Sequence, residues 1–294
     1  MPLVEQVAVL GAGGTMGFPM ARNMARAGLG VRAWNRSAEK AEPLKEAGVA
    51  VASTPAEAAD RAQAIVTMLA DAEAVLESMD GDEGALAGVS EGATWIQMST
   101  LGIEGTERCA ELADERGIAF VDAPVLGTKQ PAEKGELVVL ASGPEDSRER
   151  VAPIFDAVGK QTIWAGEAGA GSRLKLVTNS WVLTVVEGTA EAIAMAQGIG
   201  VEPSQFLEAV GGGPLDMPYL QLKAKAMIDR DFEPAFRLAH AAKEARLLRE
   251  AANRHKLDLP VIEAIARRLE EAAAEHGDDD VAATYLTSAA ATRR

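Results

Sequence analysis

The sequence holds a single cysteine, Cys109, among 294 residues, so no internal disulfide can form and no cysteine-built zinc site is available. Histidine is scarce too: His240, His255 and His276 lie on separate stretches without metal-ligand spacing. Aromatic residues make up only 4% of the chain, which leaves the core to aliphatic side chains. No apolar run approaches the ~20 residues of a membrane span. The start, MPLVEQVAVL, carries Glu5 and no basic stretch, and does not read as a signal peptide. Positive charge is in deficit, with 29 Lys and Arg against 44 Asp and Glu, a net charge of −15. Broad binding to nucleic acid or an anionic membrane needs a basic face, which this balance argues against. A small anionic ligand is not excluded, because a few local cations or a helix N-terminus suffice for it. With 48% hydrophobic and 25% charged residues the chain reads as globular, and at ~100–200 residues per domain it reads as two domains. A cytoplasmic protein is the expectation.

What is present is an alternation. Val7–Leu10, Val31–Trp34, Ala64–Leu69, Thr94–Met98 and Ile118–Val121 read as strands. Between them Met16–Ala27, Ala38–Ala47, Asp71–Met79 and Glu104–Arg116 read as helices, with Ser37, Thr54 and Asp71 as N-caps and Gly28, Gly48 and Gly117 as stops. Two more strands, Glu136–Ala141 and Gln161–Trp164, flank a helix over Glu145–Val158. This spacing predicts βαβ units and a doubly wound, mainly parallel sheet. After Trp164 a Gly-rich turn (165–171) opens an almost entirely helical half. The helices expected there are Ser172–Gln197, Ser204–Val210, Leu215–Ile228, Leu238–His255 and Val261–His276, with a short one over Val281–Ala291. The predicted fold class is therefore α/β, a Rossmann-like domain over residues 1–166 and an all-α domain over 167–294, joined by the long helix.

The strand at Val7–Leu10 runs into Gly11-Ala-Gly13-Gly14-Thr15-Met16-Gly17, and a helix follows. Glycines allow a tight turn and close approach of backbone to a pyrophosphate, while the helix start offers free N–H groups and a positive dipole end. Strand before and helix after make this a dinucleotide-binding turn rather than an ordinary βα connection. Its spacing, G-x-G-x-x-x-G, is one residue longer than usual, with Gly14 giving an alternative register. About 20 residues on, NAD-preferring sites carry an acid for the ribose hydroxyls. Here the second strand ends at Asn35-Arg36-Ser37, and a guanidinium with a hydroxyl suits a 2′-phosphate. The cofactor expected is NADP(H).

Taken with Met16-Gly17-x-x-Met20-Ala21-x-Asn23, these elements resemble the β-hydroxyacid dehydrogenase family. Three later blocks match in the family's order: Asp122-Ala-Pro-Val125 with Gly135-x-Leu137, Gly171-x-x-x-Lys175-x-x-x-Asn179, and Lys243-Glu244. The resemblance spans essentially the whole chain. It implies a Rossmann-like domain, a helical domain and a catalytic cleft between them, acting on a small carboxylate-bearing aldehyde or alcohol. Lys175 takes the acid/base role and Asn179 the positioning role; at i and i+4 they share a helix face. A desolvated lysine can titrate near neutrality and exchange a proton with an alcohol or carbonyl oxygen, although spacing alone would leave Lys175 a surface lysine. Cofactor contacts are expected at Gly11, Gly13, Gly14, Thr15, Met16, Asn35, Arg36, Ser37, Met68, Leu69, Thr100 and Lys243. Thr100, with Ser99, stands at a strand end where such sheets place ligands, or caps the segment from Ile103.

Substrate contacts are expected at Leu126, Gly127, Thr128 and Phe236. The family's Ser-Gly-Gly element reads Leu126-Gly127-Thr128 here, followed by Lys129, which is similar to the glyoxylate/succinic semialdehyde reductase branch and leaves the substrate open. The alternatives are an imine reductase, whose relatives generally lack the lysine, and a non-catalytic NADP-binding protein. Met195 and Met217 read as helix packing. Asp278-Asp-Asp280 reads as a solvated loop and N-cap rather than a metal site. Trp181, Val182, Leu183, Val185 and Val186 make the long helix apolar on more than one face, so a homodimer or homotetramer is expected.

Overall fold

Strands of four or five residues, most of them buried along nearly their whole length and β2 at alternate positions, run through the first half of the chain in the computed structural model, which describes residues 3–291. They are β1 (Gln6–Leu10), β2 (Gly30–Trp34), β4 (Ala64–Thr67), β5 (Thr94–Gln97) and β6 (Ala119–Asp122), with a two-residue β3 (Ala50–Val51). All pair in parallel, in the order β3-β2-β1-β4-β5-β6. Alternation along each strand feeds two cores: Val7, Val9, Val66, Ile96 and Val121 on one face, Ala8, Leu10, Ile65, Trp95 and Phe120 on the other. The connections are α1 (Gly17–Arg26), α2 (Pro55–Ala59), α3 (Ala72–Met79), α4 (Ala85–Gly88) and α5 (Gly102–Glu115). Thr54 caps α2 and Asp71 caps α3, each side-chain oxygen accepting a backbone N–H three residues on. A smaller sheet follows: β7 (Val125–Leu126) antiparallel to β8 (Leu137–Ala141), and β9 (Gly159–Trp164) parallel to it, with α6 (Lys129–Lys134) and α7 (Ser147–Val158) between.

One expected helix is absent. Residues 38–47 form two 3-10 segments, Ala38–Lys40 and Glu42–Ala47, and Ser37 makes no side-chain cap bond. Pro43 lies in the middle of the stretch, and its missing N–H and ring keep a continuous α-helix from forming.

From α8 (Ala170–Gly198) onward the chain is helical: α9 (Pro203–Val210), α10 (Pro218–Asp229), α11 (Leu238–Arg254), α12 (Pro260–His276), a 3-10 turn Val281–Thr284 and α13 (Tyr285–Ala291). Helix α10 begins three residues later than expected, at Pro218, where the missing N–H is one a helix start does not need. The two compact units divide between Lys175 and Leu176, inside α8. In the second unit α11 packs against α12; α11 buries Leu238, Ala241, Ala242, Ala245 and Leu248, and α12 buries Ile262, Ile265, Ala266 and Leu269, each at helical spacing.

Two expectations for this unit fail. Asp280 is not solvated: it is 2% exposed, with Lys223 Nζ 2.6 Å from its Oδ1. It also accepts the amides of Ala282, Ala235 and Phe236, so its cap role extends into a buried cross-link. Met195 is not helix packing either. It is 66% exposed, on the same helix face as Val177 and Trp181, with exposed Ile199 just past the helix end. Among the described residues no helix is long and apolar enough to cross a membrane.

Candidate active site

The glycine turn sits where β1 ends and α1 begins, at the carboxyl edge of the parallel sheet, the edge at which such sheets hold ligands. Gly11 has φ +89°, and a Cβ there would fall 2.1 Å from the Met68 carbonyl oxygen. A Cβ on Gly17 would fall 2.2 Å from the Gly11 carbonyl oxygen. Both glycines are thus fixed by close backbone approach. Gly14 differs, since it is exposed and its nearest contact is 3.3 Å away. Thr15 is exposed beside it, Met16 half-buried, and no side chain caps the first turn of α1. Bare backbone and an uncapped helix start fit a dinucleotide pyrophosphate.

Asn35 is committed to this turn. Its Oδ1 accepts the Gly13 N–H at 3.1 Å and its Nδ2 donates to the Ser37 carbonyl at 2.9 Å. Arg36 beside it is exposed and Ser37 half-buried. Met68 and Leu69 follow β4: the Met68 amide donates to the Leu10 carbonyl, and the Leu69 amide to Ser99 Oγ at 2.8 Å. Ser99 therefore ties two strand ends together, and α5 starts after Leu101 without a side-chain cap. Thr100 lies next to it, half-buried.

The start of α8 is anchored by groups that sequence reasoning missed. Asp122, fully buried at the end of β6, accepts Ser172 N–H at 2.7 Å and Ser142 Oγ at 3.2 Å on Oδ2, and Ser172 Oγ at 2.7 Å on Oδ1. Ser142 Oγ accepts the Gly171 N–H at 2.9 Å, and Thr106 Oγ1 donates to Ser172 Oγ at 2.9 Å. A Cβ on Gly171 would fall 2.2 Å from the Leu140 carbonyl oxygen, so only glycine fits. Burial pushes the Asp122 carboxyl above its usual range, while the Ser172 and Ser142 bonds pull it down. Lys175 follows one turn later and is 9% exposed. The surface-lysine reading of the sequence does not hold.

Leu126 ends β7, and Gly127 has φ +121° with its Cβ direction closed by Leu137 and Pro131. Thr128 precedes α6 without capping it, and Lys129 is exposed.

The helical unit gathers a second set. Asn179, 4% exposed on α8, donates from Nδ2 to Glu244 Oε2 on α11. Lys243 is half-buried next to it. Phe236 is half-buried, its amide held by Asp280 Oδ2 at 3.1 Å. Burial, then the negative charges of Asp280 and Glu244, hold the phenol of Tyr219 on α10 well above the ordinary value. Sequence reasoning placed Glu244 only as Lys243's neighbour and did not see Tyr219. No local signal marks the Asn179–Glu244 contact, because the partners stand 65 residues apart.

A parallel sheet in this strand order, a glycine turn at its carboxyl edge and an all-helical second unit define a nicotinamide-dinucleotide-binding oxidoreductase. Residues 6–166 match the NAD binding domain of 6-phosphogluconate dehydrogenase, and residues 169–287 the NAD-binding domain of NADP-dependent 3-hydroxyisobutyrate dehydrogenase. The chain belongs to the β-hydroxyacid dehydrogenase family. It is 34% identical over 283 residues to glyoxylate/succinic semialdehyde reductase 2 of Arabidopsis thaliana, covering 96% of this chain and 79% of that protein. The 3-hydroxyisobutyrate dehydrogenase of Mycobacterium tuberculosis, solved with L-serine, superposes with a TM-score of 0.88 at 26% identity, covering 97% and 99% of the two chains. An imine reductase from Myxococcus stipitatus, solved with NADP+, shares the fold with a TM-score of 0.66 at 22% identity, covering 96% and 99%.

Proposed function

We propose that this protein is an NADP(H)-dependent reductase of a small carboxylate-bearing aldehyde or 2-oxo acid, such as succinic semialdehyde or glyoxylate, and of the corresponding alcohol in reverse. The observation that carries this reading is the buried pair on one face of α8: Lys175, one turn after the Asp122 anchor, and Asn179, held by Glu244. When bound, the nicotinamide supplies or accepts the hydride. Lys175 protonates the substrate oxygen in reduction and takes that proton back in oxidation. Asn179 orients the substrate through an amide already fixed on one side by Glu244. Gly127 offers backbone, and Thr128 and Lys129 offer a hydroxyl and a cation, in place of the family's serine element. Gly11, Gly13, Gly14, Thr15 and Met16 would hold the pyrophosphate, with Met68, Leu69, Thr100 and Lys243 along the rest of the cofactor. The preference for NADP(H) rests on exposed Arg36 beside Ser37 and on Asn35, a neutral side chain where a carboxylate would repel a 2′-phosphate. A homodimer or homotetramer is part of the proposal, supported by the exposed apolar face of α8.

Lys175→Ala tests it. General acid–base groups contribute about 10²–10⁴-fold, so kcat for succinic semialdehyde or glyoxylate should fall by that order while the NADPH Kd barely moves. Lys175→Arg should not rescue, because a guanidinium does not release its proton near neutral pH. Near-normal turnover by Lys175→Ala would remove the mechanism. Turnover of a cyclic imine in preference to either aldehyde would favour the imine reductase alternative, which Leu126 in place of the serine keeps open.

A further inference from the structure

We propose that the protein binds a small organic monocarboxylate at a second site, at the amino edge of the parallel sheet. A cavity of about 310 Å³ lies there, where β1 and β2 begin and the chain turns back after α2 towards β4. All of it belongs to the first compact unit. Gln6 starts β1 at this edge and Leu10 ends it at the glycine turn, so about 13 Å of strand separates the cavity from the dinucleotide site.

Two arginines line the cavity, and neither is fully used. Arg32 on β2 donates from Nη1 to the Glu57 and Asp60 carbonyls at 2.9 and 3.2 Å and to Asp60 Oδ2 at 3.2 Å. Its Nε and Nη2 make no hydrogen bond among the described residues, and the Arg61 guanidinium makes neither a hydrogen bond nor an ion pair among them. The Arg61 backbone is left-handed, with φ +60°, just past the end of α2, where glycine is the usual residue. A side chain kept at a strained backbone position points to a use for it. Capping the helix is not that use, because Arg32 already holds the carbonyls at the end of α2. Of the described non-glycine residues in this conformation, Arg61 alone lines the cavity.

Charge and lining select the ligand. Two guanidiniums face one carboxylate, Asp60, while Glu57 is turned to Ser53, its Oε2 accepting the Ser53 amide at 2.7 Å. One positive charge is left over, which matches a carboxylate better than a dianionic phosphate, and the edge of a guanidinium pairs with a carboxylate through two parallel bonds. The Gln6 amide lies over Gly30, where a Cβ would fall 2.3 Å from Gln6 Oε1, and adds a further donor. Val7, Ala58 and Ala62 supply an apolar wall, so the space beyond the carboxylate suits a short aliphatic chain.

Two-dimensional NMR of the isotope-labelled full chain, titrated with hexanoate against sodium chloride at equal ionic strength, tests the site. The amides of Gly30, Arg32 and Ala62 should shift together and saturate with one Kd, and inorganic phosphate should bind there more weakly than hexanoate. Arg61→Gly removes the guanidinium and suits the left-handed backbone, so its melting temperature should hold or rise. The hexanoate Kd read at the same three amides should weaken by about 10- to 100-fold in that variant. Shifts that never saturate, or that sodium chloride alone reproduces, overturn the proposal. An Arg61→Gly Kd within about 2-fold of the parent overturns it as well, because a charge-assisted bond cannot be lost so cheaply. Phosphate bound at least as tightly as hexanoate overturns the assignment to a carboxylate.

Discussion

Replacing Asp122 by alanine tests how firmly the start of α8 is held. Its carboxylate accepts three hydrogen bonds, two of them at 2.7 Å, in a place with no access to water. The two serine hydroxyls can turn to other partners: Ser142 Oγ already lies 3.2 Å from the Asp122 carbonyl oxygen, and Ser172 Oγ already meets Thr106. The Ser172 N–H cannot turn, and an orphaned buried donor costs about 1–3 kcal/mol. The small cavity adds about 1–2 kcal/mol, and relief of a disfavoured buried charge returns part of the sum. A net loss of about 2–4 kcal/mol corresponds, for a unit of this size, to a melting temperature lower by about 5–15 °C. Asp122→Asn keeps the volume and one carbonyl acceptor, so it should recover more than half of the loss. Because Ser172 precedes Lys175 by one turn, kcat at 15 °C, well below either transition, should fall in Asp122→Ala and largely return in Asp122→Asn. NADPH affinity, read by fluorescence titration, should not change, since the glycine turn belongs to other strands. Calorimetry placing Asp122→Ala within about 1 °C of the parent would refute the reasoning, as would full activity in the alanine variant.

Arg36→Ala should weaken NADPH binding by about 1.5–3 kcal/mol, the worth of a charge-assisted hydrogen bond, and leave NADH nearly unchanged; NADH bound as tightly as NADPH by the unmutated protein would contradict this. On α8 and the residue just past it the exposed apolar side chains mirror about Gly188, with Trp181 opposite Met195 and Val177 opposite Ile199 in an antiparallel second copy, so Trp181→Glu should halve the mass measured by light scattering. A monomeric parent at micromolar concentration would exclude that pairing. Burial raises the Glu187 carboxyl above its ordinary value, with Thr284 and Arg268 lowering it only in part. Folding then takes up a proton between the unfolded and folded pKa values, and stability is lost as pH rises through the folded one. The melting temperature of Glu187→Gln relative to the parent should therefore climb between pH 4.5 and 7, and a decline over that range would reverse the assignment.

What could be read from the sequence follows from how local each signal is. The longer strands announced themselves because β-branched residues and bounding glycines lie within a few positions of one another, and the glycine turn sits between a strand and a helix that are both legible. The two-residue strands β3 and β7 carry no period to detect. The stretch over 38–47 has a helical composition, and only the weight given to Pro43 could have corrected it. Lys175 and Asn179 share a face by spacing alone, but their burial does not follow from spacing. Asp122 meets Ser172 across 50 residues, and Asp280 meets Lys223 across 57. A run of three aspartates looks solvated until the lysine that neutralises its last member is found on another helix. Asn35 stands where NAD-preferring sites carry an acid, and its amide bonds to Gly13 and Ser37, contacts that a one-dimensional pattern does not display.

Helix α8 begins in one compact unit and ends in the other, with the division falling between Lys175 and Asn179. Four residues of α-helix advance about 6 Å, and that length is set by main-chain hydrogen bonds rather than by the packing of either unit. The helix acts as a ruler. Whatever the two units do around it, Lys175 and Asn179 keep their spacing, so if they are the proton carrier and the orienting group proposed above, variation in the segments that bear Leu126 or Phe236 can change which molecule is accepted without retuning the step common to them all. A lineage built on such a ruler can diversify its substrates by editing loops and leave one rigid segment untouched.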